Sequence, residues 1–322
     1  MMVSVKPASP LACPMDAYLD QNVLIYLANR PEWLAVSMAA SSEGRIRYVL
    51  SPWHFYEIGK IEEQRRDELL AVAANLNPAW ILDRADLQLV EFLNAWRGFW
   101  NGYSRPLRAV STLADVGSFL LRITPERAAE IPLERYVREI ARPGGTDLLK
   151  PVFADQKRIA SANQESFRSG RYTKLIDHEV KHVYVARLLA RERETGPSLP
   201  DLYERMAEIL ADPLCGEKIK FFVEFGGMAD LRTWEIDARL TALHMAGQAV
   251  LSENRQVDRQ HACVALAYCD LFVTNDDELL RRSSEVSVGL NFPAAECLRP
   301  EALIERLSIR RGLAQLCRHH TG

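Results

Sequence analysis

The chain has 322 residues, 48% of them hydrophobic and 26% charged, the balance of a soluble globular protein of one large domain or two ordinary ones. No apolar run approaches the ~20 residues that a bilayer span needs, so no membrane partner is expected. A net charge of -3 exerts no whole-chain pull on nucleic acid, so any such site has to be a local patch.

Met1 to Pro14 carries Lys6 but no long apolar core, and reads as a loose tail rather than a secretory signal. Residues 16–27 predict a short strand ending at Asp20, then a helix over Val23–Leu27 that Asp20 or Asn22 can cap. Pro31 and Trp33-Leu34-Ala35 fit another short helix. Arg45–Leu50 alternates and then turns apolar, as a strand entering a core does. Ser51-Pro52 is a helix start, with Ser as the cap and Pro at the first helical position. That helix carries Glu57 and is expected to run to about Leu76, where Asn77-Pro78 breaks it.

Trp80-Ile81-Leu82 predicts a further strand and Leu87–Phe92 a helix. From about Ala95 the pattern is mostly helical, with Gly226-Gly227 as an interruption. Alternation returns with a helix over 258–268 opened by Asp258, a strand over 270–274, and a helix over 276–282. Glu296–Leu298 is a last strand and Pro300 opens a last helix. The expected architecture is therefore α/β: a parallel sheet flanked by helices, built from 16–94 and 235–310, with a mostly α-helical insertion over 95–234. None of the cysteines forms a C-x-x-C pair, which favours reduced structural thiols and a cytoplasmic location.

In open α/β sheets the ligand site lies beyond the carboxyl ends of the strands. Asp20 and Asp276 end strands there, Asp258 opens a helix packed beside them, and Glu57 lies about one and a half turns into the helix after the second strand. Four carboxylates from separate elements can converge, and hard oxygen donors of this kind suit Mg2+ or Mn2+. Each also has a plainer explanation: Asp20, Asp258 and Asp276 as helix caps, Glu57 as part of a solvated helix face. Asn22, Thr274 and Asn275 share that edge as candidate substrate contacts, although turn chemistry explains them equally. Asp270 begins its strand and belongs to the opposite edge, while Asp277 is a candidate outer or second-metal group. His261 follows Asp258 by one turn and could be a metal ligand or touch substrate; no second His stands at i+4, so the zinc helix motif is absent and a buried, hydrogen-bonded histidine is the favoured reading.

Leu19-Asp20-Gln21-Asn22, Ser51-Pro52 followed by Tyr56-Glu57, Asp258-Arg-Gln-His-Ala, and Cys269-Asp270-Leu-Phe-Val-Thr274-Asn275-Asp276 resemble the PIN-domain nuclease family. The resemblance implies a parallel sheet and a metal-dependent hydrolase, with Asp20, Glu57, Asp258 and Asp276 as its four acids. It also implies Mg2+ or Mn2+ as cofactor and endoribonuclease activity on RNA. It covers two blocks, and the helical middle departs from compact members. A homodimer or a protein inhibitor is a further partner that it allows. A phosphate backbone needs basic groups. Residues 142–193 carry more Lys and Arg than Asp and Glu, including Arg168, Arg171 and Lys174, with Phe167, Tyr172 and Tyr184 interleaved for base stacking. The plainer alternative there is a solvated helix face over core aromatics. Two other functions fit the same residues: a structure-specific DNA nuclease of this fold, or a non-catalytic PIN-like nucleic-acid-binding or scaffold protein.

Overall fold

The computed structural model describes residues 14–102, 109–121, 124–140, 209, 211–227, 231–246 and 253–319. Among them six strands form one sheet in the order β4-β3-β2-β1-β5-β6. β1 (Met15–Leu19) pairs in parallel with β2 (Ile46–Leu50) on one side and with β5 (Leu271–Val273) on the other. β3 (Ala79–Ile81) and β6 (Glu296–Leu298) extend the parallel array outward. β4 (Val110–Ser111) closes one edge antiparallel to β3.

Parallel neighbours need crossover connections, and helices supply them. α1 (Gln21–Ala28) and α2 (Pro31–Ser42) link β1 to β2. α3 (Pro52–Gly59) and α4 (Glu63–Leu76) link β2 to β3. After β3 come α5 (Arg84–Asn101), α6 (Leu113–Leu121), α7 (Pro125–Ala129) and α8 (Leu133–Ile140). Then follow α9 (Cys215–Glu224), α10 (Arg232–Ala246) and α11 (Glu253–Tyr268). α12 (Asp277–Val288) joins β5 to β6, and α13 (Pro300–His319) comes last. No helix among the described residues is long and apolar enough to cross a membrane.

Strand side chains alternate between faces, and the core divides accordingly. Ala17, Leu19, Tyr48, Leu50, Leu271 and Val273 face one layer, with Leu24, Phe55, Leu69 and Leu307 from α1, α3, α4 and α13. Tyr18, Val49, Ile81 and Phe272 face the other, against α10, α11 and α12. Burial on both faces explains why the central strands read as continuous apolar runs. Cutting a central Leu such as Leu19 back to Ala would remove about 2–5 kcal/mol of stability. α11 lies innermost: Ala262 to Ala267 are all buried, which their mostly small side chains permit.

Three boundaries differ from the sequence reading. The helix expected from Ser51 to Leu76 is two helices, because the chain tightens at the end of α3, where Lys60 N–H donates to the Glu57 carbonyl at 3.1 Å. Ile61 in the link packs on the core. α4 then stops as expected, with Asn77 left-handed at φ 47° ahead of Pro78. α11 begins at Glu253, so Asp258 lies inside the helix and does not open it; the helix-forming Glu253, Arg255 and Gln256 carry the helix upstream of it. Finally, the region 95–234 is not wholly separate. α5 crosses its expected start, β4 joins the sheet, and Val116, Tyr136 and Val137 enter the main core.

Candidate metal centre

The central position of β1 creates the crevice. Chain connections run from β1 toward β2 on one side, while β5 and β6 occupy the other, so the carboxyl ends of β1 and β5 flank a topological switch point. Asp20 leaves β1 there, its N–H donating to the Val273 carbonyl at 2.9 Å. It caps α1, its Oδ1 accepting from Gln21 N–H at 2.8 Å. Its Oδ2 accepts from Thr274 Oγ1 at 2.9 Å and from Asn22 Nδ2 at 3.3 Å. Capping is thus one job of Asp20, but its second oxygen points at the far strand. The carboxyl is 1% exposed, and burial raises its pKa above the ordinary carboxylate value.

Thr274 is buried, and its oxygen also accepts from the Asp276 N–H at 3.1 Å. It therefore orients the acids on both sides of it. Asp276 is partly buried and caps α12 through Oδ1, which accepts from Leu279 N–H at 2.7 Å. Asn22 and Asn275 are exposed at the same edge. Asp270 sits at the other edge, its Oδ2 accepting from Asp16 N–H at 2.8 Å, as its position at a strand start predicts. Asp277 is exposed and pairs with Arg299.

His54 positions the next acid. Its Nδ1 accepts from the Ser51 N–H at 3.0 Å and its Nε2 donates to the Leu19 carbonyl at 2.7 Å. The first bond closes a capping box; the second ties α3 to the end of β1. Burial, reinforced by His261, depresses the His54 pKa to about 3, so it is neutral in this role. One turn later, Glu57 Oε2 meets His261 Nε2 at 2.7 Å. On the other side of that ring, Nδ1 lies 2.6 Å from the Tyr18 hydroxyl, which is 2.6 Å from Ser51 Oγ. His261 is fully buried and hydrogen-bonded, as expected from sequence. Burial pulls its pKa down, but Glu57, Asp20 and Asp258 outweigh that and hold it above the ordinary value.

Asp258 lies one turn before His261 on α11. Burial first, then the charge of Asp20, with Glu57 and Asp276 adding, raises its pKa to about 7 against the opposing pull of His261. Asp258 thus lies within electrostatic reach of Asp20, Glu57 and Asp276. The tightest group is Asp20, Glu57 and His261, which each offer one ligand atom, all within 4.8 Å of one another. Glu57 pairs with His261, and no Lys or Arg among the described residues forms an ion pair with any of the four acids. Arg168, Arg171 and Lys174 lie outside the described residues.

Sequence reasoning left out His54, Tyr18 and Ser51 as supports, and ranked His261 as a structural histidine ahead of a metal ligand, whereas its Nε2 lies with Asp20 and Glu57. The one-turn spacing from Asp258 to His261 was the available signal, since i and i+3 share a helix face. The opposite face of α11 is structural. Asp237 pairs there with Arg84 and, at 3.1 Å, with Arg259, while Arg84 donates to Gln260 at 2.8 Å. This buried network fixes α11 against α5 and α10, and so fixes Asp258 and His261 in the crevice. Comparison with protein-family models, with curated proteins and with solved structures finds no significant match to this chain.

Proposed function

We propose that the chain is a divalent-metal-dependent nuclease that hydrolyses phosphodiester bonds, with RNA as the favoured substrate. The observation that carries this reading is the convergence of Asp20 and Glu57 with His261, beside Asp258 and Asp276, at the carboxyl edge of a parallel sheet. The donor set fits the cofactor: carboxylates that repel one another, and that among the described residues have His261 as their basic partner, are relieved further by a cation.

Asp20 and Glu57 would hold Mg2+ or Mn2+, with Asp258 and Asp276 completing the negative rim. Bound there, such an ion supplies positive charge to phosphoryl oxygens and acidity to water. The protein's part is positional. Thr274 and the Gln21 N–H fix the two oxygens of Asp20. His54 fixes α3 to β1 and thereby Glu57 to Asp20. Asn22 and Asn275, exposed at the same edge, would contact the phosphate backbone. The preference for RNA rests on the resemblance in sequence to the PIN-domain family, as does the Mg2+ or Mn2+ assignment.

The test is incubation of mixed RNA and of branched DNA with wild type and Asp20→Asn in Mn2+. RNA cut by wild type and not by the variant is the expected result. Cleavage of branched DNA alone would move the assignment to a structure-specific DNA nuclease. No cleavage of either, or equal cleavage by both proteins, would refute the reading and leave a binding or scaffold role.

A further inference from the structure

Building on that reading, we propose that His261 is itself a metal ligand through Nε2, and that its imidazole makes the centre select a transition-metal divalent ion over Mg2+. Cis donors on an octahedral ion with bonds of about 2.1 Å stand about 3 Å apart. Glu57 Oε2 and His261 Nε2, at 2.7 Å, already span such an edge, and the Asp20 carboxylate lies within 4.8 Å of both.

The other side of the ring is arranged as a ligand histidine requires. Metal-bound imidazoles donate their second N–H to a protein acceptor, which fixes both tautomer and orientation. Nδ1 faces the Tyr18 hydroxyl, and Ser51 Oγ, 2.6 Å from that hydroxyl, can serve as its acceptor. Tyr18 can therefore accept from Nδ1–H while donating onward, so that an ion displacing the proton shared between Nε2 and Glu57 would meet the Nε2 lone pair. The ring is also held in place by its neighbours, edge-on to His54 at 4.7 Å between centroids and tilted against Tyr18 at 5.7 Å.

Nitrogen in the donor set changes the metal preference. Mg2+ demands oxygen donors and keeps its waters, whereas mixed nitrogen and oxygen sites bind transition ions in increasing order from Mn2+. Mn2+ is the useful probe because pulsed electron paramagnetic resonance reports nitrogen on the ion directly. Wild type is expected to bind Mn2+ at least ~10-fold more tightly than Mg2+ and to show nitrogen coupling. His261→Gln should lose the coupling and bring the two affinities within about threefold, with Mg2+ binding little changed. Tyr18→Phe, which keeps the ring, should retain the coupling and weaken Mn2+ by ~10-fold. Mn2+ bound to wild type without nitrogen coupling, or Mg2+ displacing it at equal concentration, overturns the ligand assignment while leaving the nuclease reading standing. No Mn2+ binding at millimolar concentration overturns both.

Discussion

Glu91 and Asp258 both have pKa values raised to about 7, and they got there differently. Glu91, on α5, is buried beneath the start of α10. It accepts from the Thr233 N–H at 3.0 Å, from the Thr233 hydroxyl at 2.5 Å and from the Tyr268 hydroxyl at 2.5 Å. Burial raises its pKa, and every hydrogen bond opposes that rise. Asp258 is raised by burial too, but then by Asp20, Glu57 and Asp276. Glu91 is a self-contained structural acid with donors to satisfy it. Asp258 belongs to a group of like charges that, among the described residues, His261 offsets only in part. Cause rather than magnitude separates the two, and that makes the separation open to experiment.

The sharpest break of the comparison is catalytic. Asp20→Asn should lower RNA cleavage in Mn2+ by roughly 1000-fold, measured on labelled RNA, while the fold persists. Changes at Glu91 should act through stability instead.

The next effect is on pH dependence. The folded-state pKa of Glu91, about 7, lies above its ordinary 4.5, so folding favours the protonated form. Stability is then full below about pH 4.5 and falls as pH rises through 7, by about 3 kcal/mol from Glu91 alone. Asp20 and Asp258 shift in the same direction and add to the slope. Urea unfolding at pH 5 and pH 8 should show this decline. Saturating divalent ion should remove the part due to Asp20 and Asp258 and leave the part due to Glu91. A slope that the ion leaves untouched would erase the distinction.

A smaller effect follows at Asp258 itself. Replacing it with Asn removes a charge that burial first and like-charge repulsion next disfavour, so the ion-free protein should gain about 2 kcal/mol at pH 8 after allowance for solvent screening. The same variant should gain less stability from added Mn2+. Denaturant titration with and without the ion measures both, and a variant merely weakened in each condition would count against the repulsion. Smallest is Thr274→Val, which removes the hydroxyl that orients Asp20. It should cost about 1 kcal/mol in unfolding free energy and ~10-fold in cleavage rate.

The strand-then-acid pattern made the site edge legible from sequence. Asp20 and Asp276 sit where apolar runs stop, and the parallel sheet sends both to one crevice. Ser51-Pro52 likewise located the start of α3 and so the place of Glu57. Less was visible where tertiary contacts decide. Nothing in Val110–Ser111 marks a strand, because two residues carry no alternation and only pairing with β3 makes them one. The break after Gly59 depends on Ile61 reaching the core, which a helical period does not reveal. Tyr18 reads as one more apolar strand residue; only the fold shows its hydroxyl joining Ser51 to His261.

Carbon-13 detection of the Asp and Glu side-chain carboxyls, titrated over pH 4–9 with and without Mg2+, puts the contrast between Glu91 and Asp258 to the most direct test. Without the ion, both carboxyls should titrate near pH 7. With Mg2+ raised until the shifts stop changing, Asp258 should fall toward the ordinary carboxylate range while Glu91 stays near 7. If Asp258 keeps its value at saturating ion, or moves no more than Glu91 does, the acids at the sheet edge are not a cation site and the proposed chemistry is wrong.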